Sequence, residues 1–382
     1  MKLFECQNCR NPVHFDNRFC VNCGYRLGYL PDKNTISAVE PDDATWTALA
    51  DRTRPYLFCD NAQYDACNWL IPADAGRTTC EACRHNRTVP DLSIEENLTR
   101  WRKMELAKHH LFYSLLRWRL PMPDRTEEPE SGLAFDFLAD VTTPSGDSER
   151  VLTGHDNGII TINIAEADDA EREARRTSMK EPYRTLLGHF RHEVGHYYWD
   201  RLVRDGNKLD GFRTVFGDER ADYGEALQRH YDNGPPAGWQ DAFISSYATA
   251  HPWEDFAETW AHYLHMVDAL ETAGAFGIKL RPKIRKAAEL ALEVDFKPYQ
   301  ATSAEELVEA FVPLTVAVNS INRSMGQPDL YPFVLSLPVT QKLQFIHDLL
   351  VHSEDVTAPA PSDTKVDRPI EGRTPKMETQ AG

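Results

Sequence analysis

The sequence predicts an α+β protein: small cysteine-rich modules at the N-terminus, then a mainly helical domain that carries a small antiparallel or mixed sheet. Three observations predict it. All eight cysteines fall within the first 83 of 382 residues. A stretch around Tyr183–Val203 places apolar residues at helical spacing and carries two histidines four apart. Strand-like alternation is concentrated in residues 133–167, whereas residues 205–352 read as helical throughout.

The length allows two or three domains. A composition of 41% hydrophobic and 26% charged residues is that of an ordinary globular chain. No apolar run approaches the ~20 residues needed to span a bilayer. Met1-Lys2-Leu3-Phe4-Glu5-Cys6 lacks the apolar core of a secretory signal, so the expected compartment is the reducing cytoplasm. There cysteine pairs bind metal in preference to forming disulfides. A net charge of −17 argues against a general nucleic-acid binder and gives no reason to expect membrane association.

Residues 1–28 read as a zinc ribbon. Cys6-x2-Cys9 and Cys20-x2-Cys23 form two knuckles suited to a closed tetrahedral Zn²⁺ site, and Gly24 follows where the turn needs a positive φ. So short a segment has too little core to fold without metal. Residues 29–57 are expected to be a linker with one short helix, started by Pro41-Asp42-Asp43 and anchored by Trp46 and Leu49. Residues 58–88 hold a second quartet, Cys59, Cys67, Cys80 and Cys83, with a longer first arm; His85 competes for a ligand place. Residues 1–90 carry as many acids as bases, so the ribbons are expected to contact protein.

Residues 91–120 predict a long connecting helix within 89–130, capped near Asp91-Leu92-Ser93 and ended by Pro121-Met122-Pro123. Its apolar face takes in Trp101, Leu111, Leu115, Trp118 and His109. Leu133–Leu138 and Gly158–Ile164 are strand candidates, and Gly158–Ile164 is expected to be the unpaired edge that receives an extended peptide. His155 and Asp156 just before it read as a turn, with a site role as the alternative. Helices are further expected from Gly217-Asp218-Glu219, over Trp253–Leu270, Pro282–Glu293, Ala304–Asn322 and Val339–His352. Residues 353–382, rich in Pro, Ser, Thr and charge, are expected to be a disordered tail.

The chemistry centres on His192-Glu193-Val194-Gly195-His196. At ~100° per residue the two histidines lie ~40° apart on a helix, so both imidazoles reach one metal ion. Glu193, on the adjacent face, can hold a water beside that metal without ligating it. Gly195 costs ~1 kcal/mol against alanine in a helix, which suggests a second backbone passing close by. The bland alternative is a helix with two buried core histidines.

A catalytic zinc needs a third protein ligand. Glu254 and Glu258 lie four apart on one helical face, so one can bind the metal while the other holds the N–H of a ligand histidine. His262 and His265 continue that face. The acids Asp218, Glu219 and Asp222 are a competing set, and a three-histidine site using His189 is a further alternative.

Several stretches carry a family resemblance: Phe4-Glu5-Cys6-Gln7-Asn8-Cys9, Arg26-Leu27-Gly28-Tyr29-Leu30-Pro31, Gly154-His155-Asp156-Asn157-Gly158, Leu187-Gly188-His189-Phe190-Arg191-His192-Glu193 and His251-Pro252-Trp253-Glu254-Asp255-Phe256-Ala257-Glu258. Through them, over residues 1 to about 352, the chain resembles the bacterial zinc-binding metallopeptidases that carry an N-terminal zinc ribbon. It is more distantly similar to gluzincin peptidases of the anthrax lethal factor type. The resemblance implies a zincin-like metallopeptidase domain over 131–352. It implies His192, His196 and Glu254 as ligands of a catalytic Zn²⁺, Glu193 as general base and Glu258 behind the ligands. Tyr247, seven residues before Glu254, would be the oxyanion donor; a buried core tyrosine is the alternative. The 58-residue interval from His196 to Glu254 is longer than in many gluzincins.

The expected function is therefore hydrolysis of peptide bonds in a peptide or protein substrate by a zinc-activated water, with one catalytic and two structural zincs. Two other classes stay open at this point. One is a non-catalytic zinc-binding interaction scaffold; the other is a zinc hydrolase of a non-peptide amide.

Overall fold

A computed structural model describes residues 1–142, 148–149, 151, 153–179 and 185–351. The expected tail, 353–382, lies outside the described residues. The N-terminal region begins with a short ladder of β1 (Phe4–Glu5) and β2 (Pro12–Val13). A five-stranded antiparallel meander follows: β3 (Arg26–Leu30), β4 (Thr35–Asp42), β5 (Thr45–Ala48), β6 (Asp51–Phe58) and β7 (Leu70–Pro72).

This meander corrects the expectation of a linker with a short helix over 29–57. Pro41-Asp42-Asp43 is the end of β4 and its hairpin turn. Asp43 takes a positive φ of 48°, and Thr45 Oγ1 donates to the Asp42 carbonyl at 2.9 Å. β-Branched and aromatic residues at Thr35, Ile36, Val39, Thr53 and Tyr56 fit a pleated surface. Trp46 stacks edge-on to Phe58, with the Arg26 guanidinium over both rings. The two cysteine clusters therefore share one module: β7 leaves the second cluster to pair with β6, and the Tyr29 N–H donates to the Asn68 carbonyl at 2.9 Å.

Next come β8 (Asn86–Thr88) and the predicted long helix, α1 (Glu95–Arg117). Strands β9 (Ala134–Leu138), β12 (Gly154–Asp156) and β13 (Ile159–Asn163) join β8 in a mixed four-stranded sheet, with a small hairpin of β10 (Val141–Thr142) and β11 (Ser148–Glu149) between. The order is β12-β13-β9-β8. Gly158–Ile164 is thus not the edge that its alternation suggested. Asn157-Gly158, both at positive φ, turn the chain back, so β12 covers one side of β13 while β9 pairs with the other. The edge strand is β12, and His155 sits on it.

The helices follow: α2 (Asp169–Met179), α3 (Leu186–Tyr198) with a π-helical extension over Trp199–Arg204, α4 (Leu209–Phe216), α5 (Tyr223–Asn233) and α6 (Pro252–Ala275). A hairpin of β14 (Lys279–Leu280) and β15 (Leu292–Glu293), then α7 (Ala304–Ser324) and α8 (Leu337–Val351), complete the chain. In place of the expected helix, Pro282–Glu293 holds a 3-10 segment over Arg285–Leu290 and then β15, because Lys279 and Leu280 pair back with Glu293 and Leu292.

Helices α3 and α6 cross at the centre. A Cβ added to Gly195 would stand 3.0 Å from the Ala257 Cα, so glycine is what lets the two backbones meet. One hydrophobic core runs from the ribbon through α1 to this crossing, including Phe15, Tyr29, Trp69, Phe112, Phe190 and Trp260. Polar ties reinforce it. Ser114 of α1 donates to Asp268 of α6 at 2.8 Å, Asp268 also pairs with the buried Arg191 of α3, and Tyr113 donates to Glu271 at 2.6 Å. Among the described residues no helix is long and apolar enough to cross a membrane.

Candidate metal centres and active site

The central helix α3 starts at Thr185, whose hydroxyl accepts the Gly188 N–H at 3.0 Å. Its apolar side, Phe190, Val194 and Tyr198, is buried, which turns His192, Glu193 and His196 toward α6. α6 starts at His251, whose Nδ1 accepts the Trp253 N–H at 3.1 Å, followed by Pro252 in the first turn. Its first turn therefore presents Glu254 to the two imidazoles.

Three donor atoms converge. His192 Nε2 lies 3.0 Å and His196 Nε2 3.4 Å from Glu254 Oε2, and the two nitrogens are 3.2 Å apart. His192 Nδ1 lies 2.7 Å from Glu258 Oε1. A carboxylate only accepts, so Nδ1 carries a proton, which leaves Nε2 as the atom that can offer a lone pair to a metal. Among the described residues Glu254 Oε2 is buried without a hydrogen-bond partner. Lone pairs crowded at such distances repel one another unless a cation lies between them, and two imidazoles with one carboxylate are a donor set suited to Zn²⁺. The residues present fit that ion.

Around the triad, Glu193 is 9% exposed, and burial pushes its carboxyl up while His192 and His196 oppose the shift. Burial also pushes Glu258 up, but the His192 N–H prevails and holds it at about 2. The Tyr247 ring stands 5.9 Å from that of His192, its phenol raised by burial. Tyr223 donates to Glu254 Oε1 at 2.6 Å. Trp253 lies over the His196 ring at 3.8 Å. His155 on the edge strand stands 6.3 Å from His196, and burial with nearby positive charge holds it neutral at about 3.

The competing acids are occupied elsewhere. Glu219 pairs with Arg213, Asp218 with Arg220, and Asp222 caps α5 by accepting the Glu225 N–H at 2.8 Å. That cap also moves the helix start from the expected Gly217 to Tyr223. His189 contacts Glu166 and lies outside the triad. His262 Nδ1 is 2.7 Å from the Tyr331 hydroxyl, and His265 faces Arg191.

In the ribbon region Cys6, Cys9, Cys20 and Cys23 bring their sulfurs within 4.8 Å of one another, as do Cys59, Cys67, Cys80 and Cys83. Individual separations of 3.7, 3.5 and 3.8 Å match the edge of about 3.8 Å of a tetrahedron with ~2.3 Å zinc–sulfur bonds. His85 turns away and donates to the Leu133 carbonyl at 2.8 Å. The imidazole beside the second quartet is His109 of α1, with Nε2 3.3 Å from Cys67 and 3.6 Å from Cys83. Sequence reading took His109 for part of an apolar face. It missed Tyr223, Trp253 and Glu166 because nothing local marks residues that meet only in three dimensions.

A family model described as "Putative zinc-binding metallo-peptidase" matches residues 97–349, and one described as "zinc-ribbon domain" matches residues 3–94, spanning both cysteine clusters. Proteins described as uncharacterized in Mycobacterium bovis and Mycobacterium tuberculosis are each 41% identical over 351 residues, covering 92% of this chain and 95% of theirs. No solved structure gives a significant match. With two thirds of its length under the first model and the ribbon ahead of it, the chain belongs to the zinc-binding metallo-peptidase family.

Proposed function

We propose that this protein is a zinc-dependent peptidase with Glu193 as its general base. The observation that carries the reading is the convergence of two imidazole nitrogens and the unpartnered Glu254 Oε2 beside a buried acid that takes no part in holding the metal. Zn²⁺ held there would polarise a peptide carbonyl and lower the pKa of a water to ~7. Glu193 takes the proton of the attacking water and delivers it to the leaving amine. Tyr247 donates to the oxyanion that develops on the carbonyl, a contact of a kind worth ~3 kcal/mol. Glu258 fixes the His192 ring, and Tyr223 holds the Glu254 oxygen that points away from the imidazoles. An extended peptide or protein segment adds to the outer side of β12, which pairs with no other strand among the described residues, beside the triad.

We assign the two cysteine quartets to structural zincs, giving three zincs per chain. Eight cysteines held for metal with no disulfide among the described residues suit a reducing, cytoplasmic setting. Val21 and Phe19, at the tip of the first ribbon, are 89% and 55% exposed, which suits contact with a protein partner better than with nucleic acid.

Metal content and turnover test the reading together. Wild type should hold three zincs, and His192→Ala/His196→Ala should hold two. Glu193→Gln should keep three zincs and the fold but lose cleavage of a quenched peptide library by at least ~10²-fold. Undiminished cleavage by Glu193→Gln, or a zinc count unmoved by the histidine substitutions, would refute the assignment.

A further inference from the structure

Helix α3 carries one more imidazole on the side of His196, and neither metal binding nor proton transfer by Glu193 uses it. At ~100° per residue His189 lies about 20° from His196 and about 40° from Glu193, one turn before the base. Its side chain is 18% exposed, while the Glu166 carboxylate against its Nδ1 is only 1% exposed. The ion-pair contact with Glu166 engages the Nδ1 side of the ring, so Nε2 is the atom left to meet a substrate. Among the described residues no group pairs with that nitrogen.

Glu166 is itself anchored. Its Oε1 accepts from Thr153 Oγ1 at 2.7 Å, and the same hydroxyl oxygen accepts the Asn163 N–H at 3.3 Å. Thr153 immediately precedes β12. One buried carboxylate therefore contacts an imidazole on α3 and ties down the start of β12, which is an edge strand of the sheet among the described residues. A prefixed imidazole at the junction of base, metal and free strand edge is placed to read what lies along that edge.

We propose that His189, oriented by Glu166, hydrogen-bonds through Nε2 to a peptide group of the bound substrate, next to the bond that Glu193 helps to cut. A peptide group offers both a donor and an acceptor, so Nε2 finds a partner whether it donates or accepts. The inference rests on the peptidase reading above and adds a substrate contact to it.

The test uses zinc-loaded full-length protein and two probes: acetohydroxamate, which only chelates, and a tripeptide hydroxamate, which adds a peptide chain. His189→Asn keeps a donor where Nδ1 meets Glu166 but has nothing at the Nε2 position; His189→Gln does the reverse. The tripeptide probe should bind His189→Asn about tenfold more weakly than wild type and recover to within about threefold in His189→Gln. Acetohydroxamate affinity should stay within about twofold in both, with thermal stability of the Asn variant unchanged. Unaltered tripeptide binding by His189→Asn, or equal losses for both probes, would overturn the contact while leaving the metal site in place. If wild type binds the tripeptide probe no tighter than acetohydroxamate, the peptidase reading fails and the contact goes with it.

Discussion

Gly195→Ala tests whether the helix crossing sets the geometry of the metal site. The added Cβ would stand 3.0 Å from the Ala257 Cα and 3.3 Å from Trp260 Cβ and Cδ1. Carbon atoms prefer about 3.5–4.0 Å, and a backbone atom has no rotamer with which to step aside, so α3 and α6 must part by about 0.5–1 Å. Gly195 lies between His192 and His196, and Ala257 is three residues after Glu254, so the separation reaches the triad directly. The present gaps of 3.0 and 3.4 Å to Glu254 Oε2 would widen by a similar amount. Such constellations tolerate about 0.5 Å. Zinc affinity at this centre should therefore fall about tenfold or more, equivalent to ~1.4 kcal/mol. Fold stability feels two opposing terms: alanine gains ~1 kcal/mol in helix propensity, and overpacking costs ~1–3 kcal/mol. The net is a loss of about 0–2 kcal/mol. Chelator competition measures the zinc loss, with zinc held by the ribbons as the internal reference, and thermal unfolding measures the fold. A raised Tm with unchanged zinc affinity, as propensity alone predicts, would refute the crossing as the determinant.

Glu258→Ala removes the acceptor that fixes the His192 ring at 2.7 Å; zinc should bind 10–100-fold more weakly, roughly, with the fold retained, and chelator titration reads it. Tyr223→Phe and Tyr247→Phe separate two phenols: the first removes a hydrogen bond to a buried carboxylate and should weaken zinc about tenfold, whereas the second should leave zinc and cut turnover about 10²-fold. Acid should destabilise the protein in part through His85, which burial holds at about 4 while its Nδ1–H is donated to Leu133, with Arg84 and Lys108 disfavouring its charge. The unfolded chain takes this proton near pH ~6.5 and the folded chain only near 4. Its contribution is thus complete above the unfolded value and is lost as pH falls from there to about 4, by up to ~3 kcal/mol. Urea unfolding at pH 8 and pH 5 should show a smaller difference in His85→Asn than in wild type; equal differences would discount the residue.

What was legible in the sequence was what neighbouring residues decide. The knuckles at Cys6, Cys9, Cys20 and Cys23, the long α1 and the metal helix each announce themselves through spacing within a few turns. Glycine at 195 announced the approach of another backbone, and Ala257 is the one that approaches. The meander over 26–72 escaped because Pro41-Asp42-Asp43 also suits a helix start, and because β5 has only four residues in which to show a period of two. Gly158–Ile164 was legible as a strand but not as an interior one. Its neighbours are fixed by the tight turn at Asn157-Gly158 and by the parallel pairing with β9, which no alternation within β13 encodes.

The candidate site divides in the same way, and the division has a physical cause. His192 and His196 belong together by helical phase alone, whereas Glu254 joins them across 58 residues only because α6 meets α3 at Gly195. Side chains that hold these residues and their neighbour His189 come from still other elements: Tyr223 from the first turn of α5, and Glu166 from the turn after β13. The carboxylates in these pairings, Glu254 and Glu166, look like ordinary surface chemistry until folding buries them, and burial is what makes their pairings costly to lose. The ribbon follows the same logic. Its second cysteine cluster meets His109 of α1, and α1 reaches through Ser114 and Asp268 to Arg191, the residue before His192. The ribbon, the long helix and the metal helix are thus bound into one core by contacts none of the three encodes alone. Stripping zinc from the cysteine centres should therefore loosen the α3–α6 crossing as well as the ribbon, whereas two independently folding domains would unfold in separate steps.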